Sequence, residues 1–221
     1  MNHYKHIGND GKVIPLPVGK VVCVGRNYLK HIQELNNEVP SEPLLFMKPA
    51  TALCPLHQPI VIPKDKGPCH NELEVAVLIK ETLTQASIKD AKEAIWGLGL
   101  GLDLTLRDVQ SKLKAKGQPW ERAKAFDHSC PVSQFIEKQH VLDYTNLSFS
   151  LMVDGDIRQQ GNTQHMMYSI LELIVEISNH FTLVAGDIVM TGTPEGVGPL
   201  FVEDHIEVTL DNHFAVRTFV V

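Results

Sequence analysis

The stretch Gly97-Leu98-Gly99-Leu100-Gly101-Leu102-Asp103-Leu104-Thr105 decides the fold class, because it admits two incompatible readings. Glycines at this spacing mimic a dinucleotide-binding fingerprint, but that motif needs a strand, a tight turn and then a helix. Here leucine fills every second position, which is the period of one extended strand. Gly97, Gly99 and Gly101 then share a face with Asp103. The result is a strand whose smooth face leads to a carboxylate. Glycine in a strand marks close approach by another backbone or by a ligand, and the alternation alone leaves both open.

A second apolar strand lies upstream, His70-Asn-Glu-Leu-Glu-Val-Ala-Val-Leu-Ile79. Leu73, Val75, Val77 and Ile79 line one face. His70, Glu72, Glu74, Ala76 and Leu78 line the other, which begins polar and ends apolar, as a face running from an opening into a core would. Two carboxylates on such a face are costly unless something positive meets them. Glu72 and Glu74 with Asp103 could converge on one cation, and hard oxygen ligands suit Mg²⁺, Mn²⁺ or Ca²⁺ better than zinc. The plainer alternative is that the glutamates are edge charges facing water. His70 reads as a packing or supporting residue.

Around these strands the chain reads as β-rich. Short apolar runs at Val21–Val24, Leu44–Met47 and Ile60–Ile62 are bounded by proline or glycine. Asp154-Gly155 predicts a type I′ hairpin after Leu147–Val153, and a last hairpin turns at Asp211-Asn212. Capping boxes at Ser87/Asp90 and Ser169/Glu172 predict helices to about Ala94 and Phe181, the second with Ile170, Leu173, Ile174 and Ile177 as its buried stripe. A third helix is expected from Leu106 to Lys116, capped by Thr105 and Asp108 and ended by Gly117. Another strand is expected at Ile188–Thr191. Helices do not alternate with strands, so the class is α+β with strands predominant.

At 221 residues, net charge −6 and 43% hydrophobic content, one domain over 1–221 is the expectation. No basic stripe favours nucleic acid, and no apolar run reaches membrane-spanning length. The start, MNHYKHIGNDGKVIPLP, lacks the pattern of a targeting segment, so a cytoplasmic location is expected. Cys23, Cys54, Cys69 and Cys130 contain no CxxC pair and read as reduced thiols.

Three further stretches carry chemistry. His31 and Glu34 are three apart, so on a helical turn they can meet, leaving one imidazole nitrogen to accept a proton from water. Arg26, just before them, is either structural or a partner for an anionic substrate. Lys124 lies among apolar neighbours in Pro119–Asp127, where it could neutralise developing negative charge or merely bury its stem. Thr191–Gly198 is a glycine-rich turn whose backbone N–H groups and Thr193 could cradle a carboxylate.

Taken together and in order, GRNYLKHIQE, HNELEVAV, GLDLTLRDVQ, KGQPWERAKAFDHSCPV, DIRQQGNT and TGTPEGVGPL resemble the fumarylacetoacetate hydrolase family, most closely its acylpyruvate hydrolase branch. The resemblance implies a mixed β roll or sandwich, usually a homodimer. It implies Mg²⁺ carboxylates at Glu72, Glu74 and Asp103, and a water-activating dyad at His31 and Glu34 on a short lid helix. Lys124 would lie near the reacting oxygens, with Arg26, Arg107, Gln110 and Thr193 on the substrate side. The implied reaction is carbon–carbon cleavage of a 3-acylpyruvate, a small 2-oxo acid, to pyruvate and a carboxylic acid. Oxaloacetate decarboxylation or keto–enol tautomerisation is the alternative, and a non-catalytic metal-stabilised binding module is an alternative of another class. Ala125 departs from the branch, where a serine is common.

Overall fold

The computed structural model describes residues 4–221; the first three residues of the stretch read for targeting signals lie outside the described residues. In chain order the early strands are β1 (Val21–Gly25), β2 (Leu44–Lys48), β3 (Leu53–Pro55), β4 (Cys69–Asn71), β5 (Leu73–Ile79), β6 (Ile95–Leu102), β7 (Thr105–Leu106) and β8 (Cys130–Val132). The later ones are β9 (Ile136–Glu137), β10 (Ser148–Val153), β11 (Asp156–Asn162), β12 (Ile188–Met190), β13 (Gly198–Leu200), β14 (His205–Leu210) and β15 (Phe214–Phe219). The α-helices are α1 (Leu29–Glu34), α2 (Ile88–Ala94), α3 (Arg107–Ala115), α4 (Glu121–Lys124) and α5 (Ile170–His180). The fold is α+β and β-rich.

A mixed sheet runs β2-β1-β12-β5-β6-β8-β3, with β9 also on β6. Its β1–β12 and β3–β8 pairs are parallel and the rest antiparallel. A four-stranded antiparallel sheet, β11-β10-β14-β15, and a small sheet, β13-β4-β7, complete the β structure. Strand β5 is buried along its whole length because both faces are covered. Leu73, Val75, Val77 and Ile79 enter the larger core with α5 and the four-stranded sheet. Ala76 and Leu78 enter a second core with Cys23, Cys130 and Met190. The face that carries Glu74 therefore does run from a polar end into apolar packing.

The glycines of β6 serve packed neighbours, not a ligand. A methyl group on Gly97 would run into the Ile136 carbonyl, one on Gly99 would come within 2.7 Å of the Gln134 carbonyl, and one on Gly101 within 2.8 Å of Met190. Both capping boxes form, and Ile170, Leu173, Ile174 and Ile177 are buried on α5. The β10–β11 hairpin turns through Asp154 and Gly155 at φ 52° and 87°, as a type I′ turn requires.

Three local expectations are corrected. His70 and Glu74 do not share one strand, because the backbone breaks at Glu72 between β4 and β5. Ile60–Ile62 forms no strand: Ile60 makes a single bridge to Val220. Thr105 does not cap α3, since its hydroxyl donates to the Asp103 carbonyl at 2.9 Å, and Leu106 stands at the N-cap without a side-chain bond.

Candidate metal centre and active-site cleft

Pairing of β5 with β6 builds the centre. Leu73 faces Leu102 and Glu74 faces Gly101, so the next residue outward on each strand is a carboxylate. Asp103 N–H donates to the Glu72 carbonyl at 2.8 Å, which locks the two side by side. One oxygen from each of Glu72, Glu74 and Asp103 lies within 4.8 Å of the others, and all three residues are buried. The sequence expected this set, and the fold brings it together.

The charges around it are uneven. Lys124 donates to Glu72 Oε2 at 2.6 Å and Asp103 Oδ2 at 2.5 Å. Arg107 reaches Glu72 Oε1 at 2.5 Å, and Lys48 lies 2.9 Å from Asp103 Oδ1. Glu74 has no cationic partner among the described residues; Gly192 N–H donates to its Oε2 at 2.8 Å. Burial, followed by the charges of Asp103 and Glu72, pushes the Glu74 carboxyl well above the usual range. Burial also raises Glu72, but Lys124, Arg107 and His31 outweigh it and hold that carboxyl low. Lys124 shows the converse: burial favours its neutral form, yet Asp103 and Glu72 hold the ammonium. A buried carboxylate without a counter-charge, beside two more within one cation's reach, fits a divalent metal bound through oxygen.

One cleft, with about 450 Å³ of empty space counted out to its open mouth, meets this cluster. Arg26, His31, Glu72, Glu74, Asp103, Arg107, Gln110, Lys124 and Thr193 all line it, with Phe46, Trp120, Asn37 and Lys114. Glu34 is not in the wall but stands behind His31. The His31 Nδ1 to Glu34 Oε2 distance is 3.5 Å, longer than an ordinary hydrogen bond, while Gly196 N–H donates to both Glu34 oxygens at 3.0 and 3.2 Å. Burial lowers the His31 pKa, partly offset by Glu72 and Glu34, which favours the neutral imidazole. Arg107 also donates to Gln110 Oε1 at 2.7 Å. The Thr193 hydroxyl is committed to the scaffold, donating to the Leu73 carbonyl and accepting from Gln159 Nε2.

Two structural supports escaped the sequence reading. Lys48 has no exposure and bonds the Lys124 carbonyl, the Ser129 carbonyl and the Ser129 hydroxyl as well as Asp103, tying β2 to the end of α4 that carries Lys124. Its only sequence signal was a lone charge closing the apolar run Leu44–Met47. Gln159 on β11 accepts from Asn71 Nδ2 and Leu73 N–H, each at 2.8 Å, and donates to Thr193 and the Pro194 carbonyl. It joins the four-stranded sheet to both sides of the centre.

The chain matches the family model described as fumarylacetoacetate hydrolase C-terminal over residues 20–221. It is 54% identical to oxaloacetate tautomerase YcgM of Escherichia coli (strain K12) over 95% of this chain and 96% of that one. It is 43% identical to a mitochondrial oxaloacetate decarboxylase of Dictyostelium discoideum, covering 82% and 84%. Among solved structures it is similar to a fumarylacetoacetate hydrolase family protein from Yersinia pestis CO92, with TM-score 0.97 and 50% identity over 99% and 100% of the chains. It is also similar to fumarylpyruvate hydrolase from Pseudomonas aeruginosa in complex with Mn²⁺ and pyruvate, with TM-score 0.93 and 32% identity over 100% and 97%. By the extent of these matches and by the centre its strands build, the chain belongs to the fumarylacetoacetate hydrolase family.

Proposed function

We propose that this protein is a divalent-metal-dependent oxaloacetate tautomerase, interconverting the keto and enol forms, with Mg²⁺ as its metal and Mn²⁺ or Ca²⁺ as substitutes. One observation carries the reading: the buried imidazole of His31 lines the same cleft as the three buried carboxylates, in a chain 54% identical to an oxaloacetate tautomerase. Acylpyruvate cleavage, the first expectation from sequence, moves to second place because the oxaloacetate-acting relatives are the more similar in sequence.

Tautomerisation moves one proton from C3 to the 2-oxo oxygen, or back. A bound divalent cation supplies Lewis acidity that stabilises negative charge developing on that oxygen. Glu72, Glu74 and Asp103 hold the cation. His31 takes and returns the proton through the ring nitrogen that does not face Glu34, and Glu34 sets the orientation of the ring. Lys124 holds Glu72 and Asp103 in place, while Arg107 and Gln110 present donors to the substrate.

Acylpyruvate hydrolysis stays as a second reading because the same imidazole could activate water, and because the Pseudomonas relative is a fumarylpyruvate hydrolase. The two separate in one assay. Metal-loaded protein is given oxaloacetate and acetylpyruvate in parallel, and enol absorbance, carbon dioxide and acetate are followed. Faster enol–keto exchange of oxaloacetate supports tautomerisation; carbon dioxide release would make decarboxylation the activity, and acetate without oxaloacetate exchange would favour hydrolysis. We read residues 1–221 as one catalytic domain acting in the cytoplasm as a homodimer, which light scattering of the purified protein tests.

A further inference from the structure

Of the four lysine and arginine side chains that line the cleft, two are already paired. Lys124 is held by Glu72 and Asp103, and Arg107 by Glu72. Arg26 and Lys114 have no acidic partner among the described residues. Both donate instead to one neutral acceptor, Asn37 Oδ1, from Arg26 Nη2 at 3.1 Å and Lys114 Nζ at 3.0 Å. Arg26 also donates to the Glu38 carbonyl at 3.1 Å. Two cations sharing an uncharged acceptor repel each other, and an anion between them would relieve that repulsion.

The backbone points the same way. Arg26 sits at φ 62°, an uncommon conformation for a residue with a side chain and one that clusters at ligand clamps. Arg26 and Asn37 flank α1, the helix that carries His31, while Lys114 stands near the end of α3. Oxaloacetate differs from simpler 2-oxo acids by a second carboxylate at the far end from the 2-oxo acid group. The charges of Arg107 and Lys124 are already balanced by the metal carboxylates, so Arg26 and Lys114 are the cleft cations whose charge is left to meet it.

We propose that Arg26, Asn37 and Lys114 form a clamp for the distal carboxylate of a dianionic 2-oxo acid, so that the cleft selects dicarboxylates over monocarboxylates. The proposal rests on the oxo-acid reading above and adds what sets its specificity. Binding at the clamp also ties α3 to both ends of the segment bearing His31, which holds the imidazole against the substrate.

Oxaloacetate and 2-oxobutyrate have the same number of carbons and differ in a distal carboxylate against a methyl group. Their dissociation constants are measured on Mn²⁺-loaded protein by calorimetric titration in the cold, for wild type, Lys114→Met and Lys114→Arg. The wild type is expected to prefer oxaloacetate by at least about tenfold, the scale of one charge-assisted contact. Lys114→Met should lose most of that preference by weakening oxaloacetate alone, and Lys114→Arg should keep it. An unchanged preference in Lys114→Met, or none in wild type, would overturn the clamp. A protein that keeps the preference but fails to exchange enol and keto forms would instead overturn the proposed activity and leave the clamp standing.

Discussion

Replacing Glu74 by glutamine should have opposite effects with and without metal. In metal-free protein Glu74 is buried, lacks a cationic partner and is crowded by Asp103 and Glu72. Removing its charge relieves desolvation and repulsion, so Glu74→Gln is expected to raise the melting temperature of stripped protein. The same change removes a ligand, so added Mg²⁺ or Mn²⁺ should no longer raise it as it does in wild type. Thermal melts with and without metal check both signs. His31→Ala should leave metal binding intact and lower kcat about 10²–10⁴-fold, the usual worth of a positioned base. Because burial holds the His31 pKa below its ordinary value, the neutral base is present at pH 7 and activity should fall only as pH drops through that lowered pKa. A pH profile of kcat/KM in wild type tests the position of the acid limb. At this scale the carboxylates were legible because strand alternation set two of them on one face and a glycine strand led to the third. Lys48 was not, since a lysine at a strand end also fits an exposed head on a buried stem, and only the fold puts Asp103 beside it.

The elements matter through close approaches more than through their own stability. On β6, the Ile136 carbonyl occupies the space where Gly97 would carry a side chain. Gly97→Ala is therefore expected to lower stability by about 1–3 kcal/mol, the range for overpacking a core, measured by denaturant unfolding. Gln159 joins β11 to β4, to β5 and to the Thr191–Gly198 turn by four hydrogen bonds. Gln159→Ala leaves several buried polar groups unpaired and should cost about 1–3 kcal/mol for the strongest of them. It should also weaken metal binding, because the same turn donates Gly192 N–H to Glu74. The capping boxes and the type I′ hairpin at Asp154-Gly155 could be read directly, since their signals are local. The Ile60–Ile62 run could not: its apolar pattern fits a strand, but its backbone meets the chain end near Val220, a partner far away in sequence.

For the whole molecule, the decisive feature is the strand order. Strand β12, late in the chain, inserts between β1 and β5, parallel to one and antiparallel to the other. That insertion brings the Thr191–Gly198 turn to Glu74 and, through Gly196, to Glu34, while β1 leads into Arg26 and α1. The cleft is thus assembled from segments spread over most of the chain, and no local pattern states which of them meet. Strand content and carboxylate identity could be read from sequence; the inserted strand, and the pairing state of each cation that follows from it, could not. Among the described residues, no helix is long and apolar enough to cross a membrane.

The central claim is that the three buried carboxylates hold a divalent metal used for enol chemistry. The measurement that tests it most directly starts from chelator-stripped protein given freshly dissolved oxaloacetate, with enol absorbance followed before and after Mg²⁺ is added. The rate in each case is corrected for the same solution without protein. The account predicts no acceleration from stripped protein, acceleration on adding metal, and none from Glu74→Gln at the same metal concentration. Equal acceleration by stripped protein, or full activity in Glu74→Gln, would contradict it.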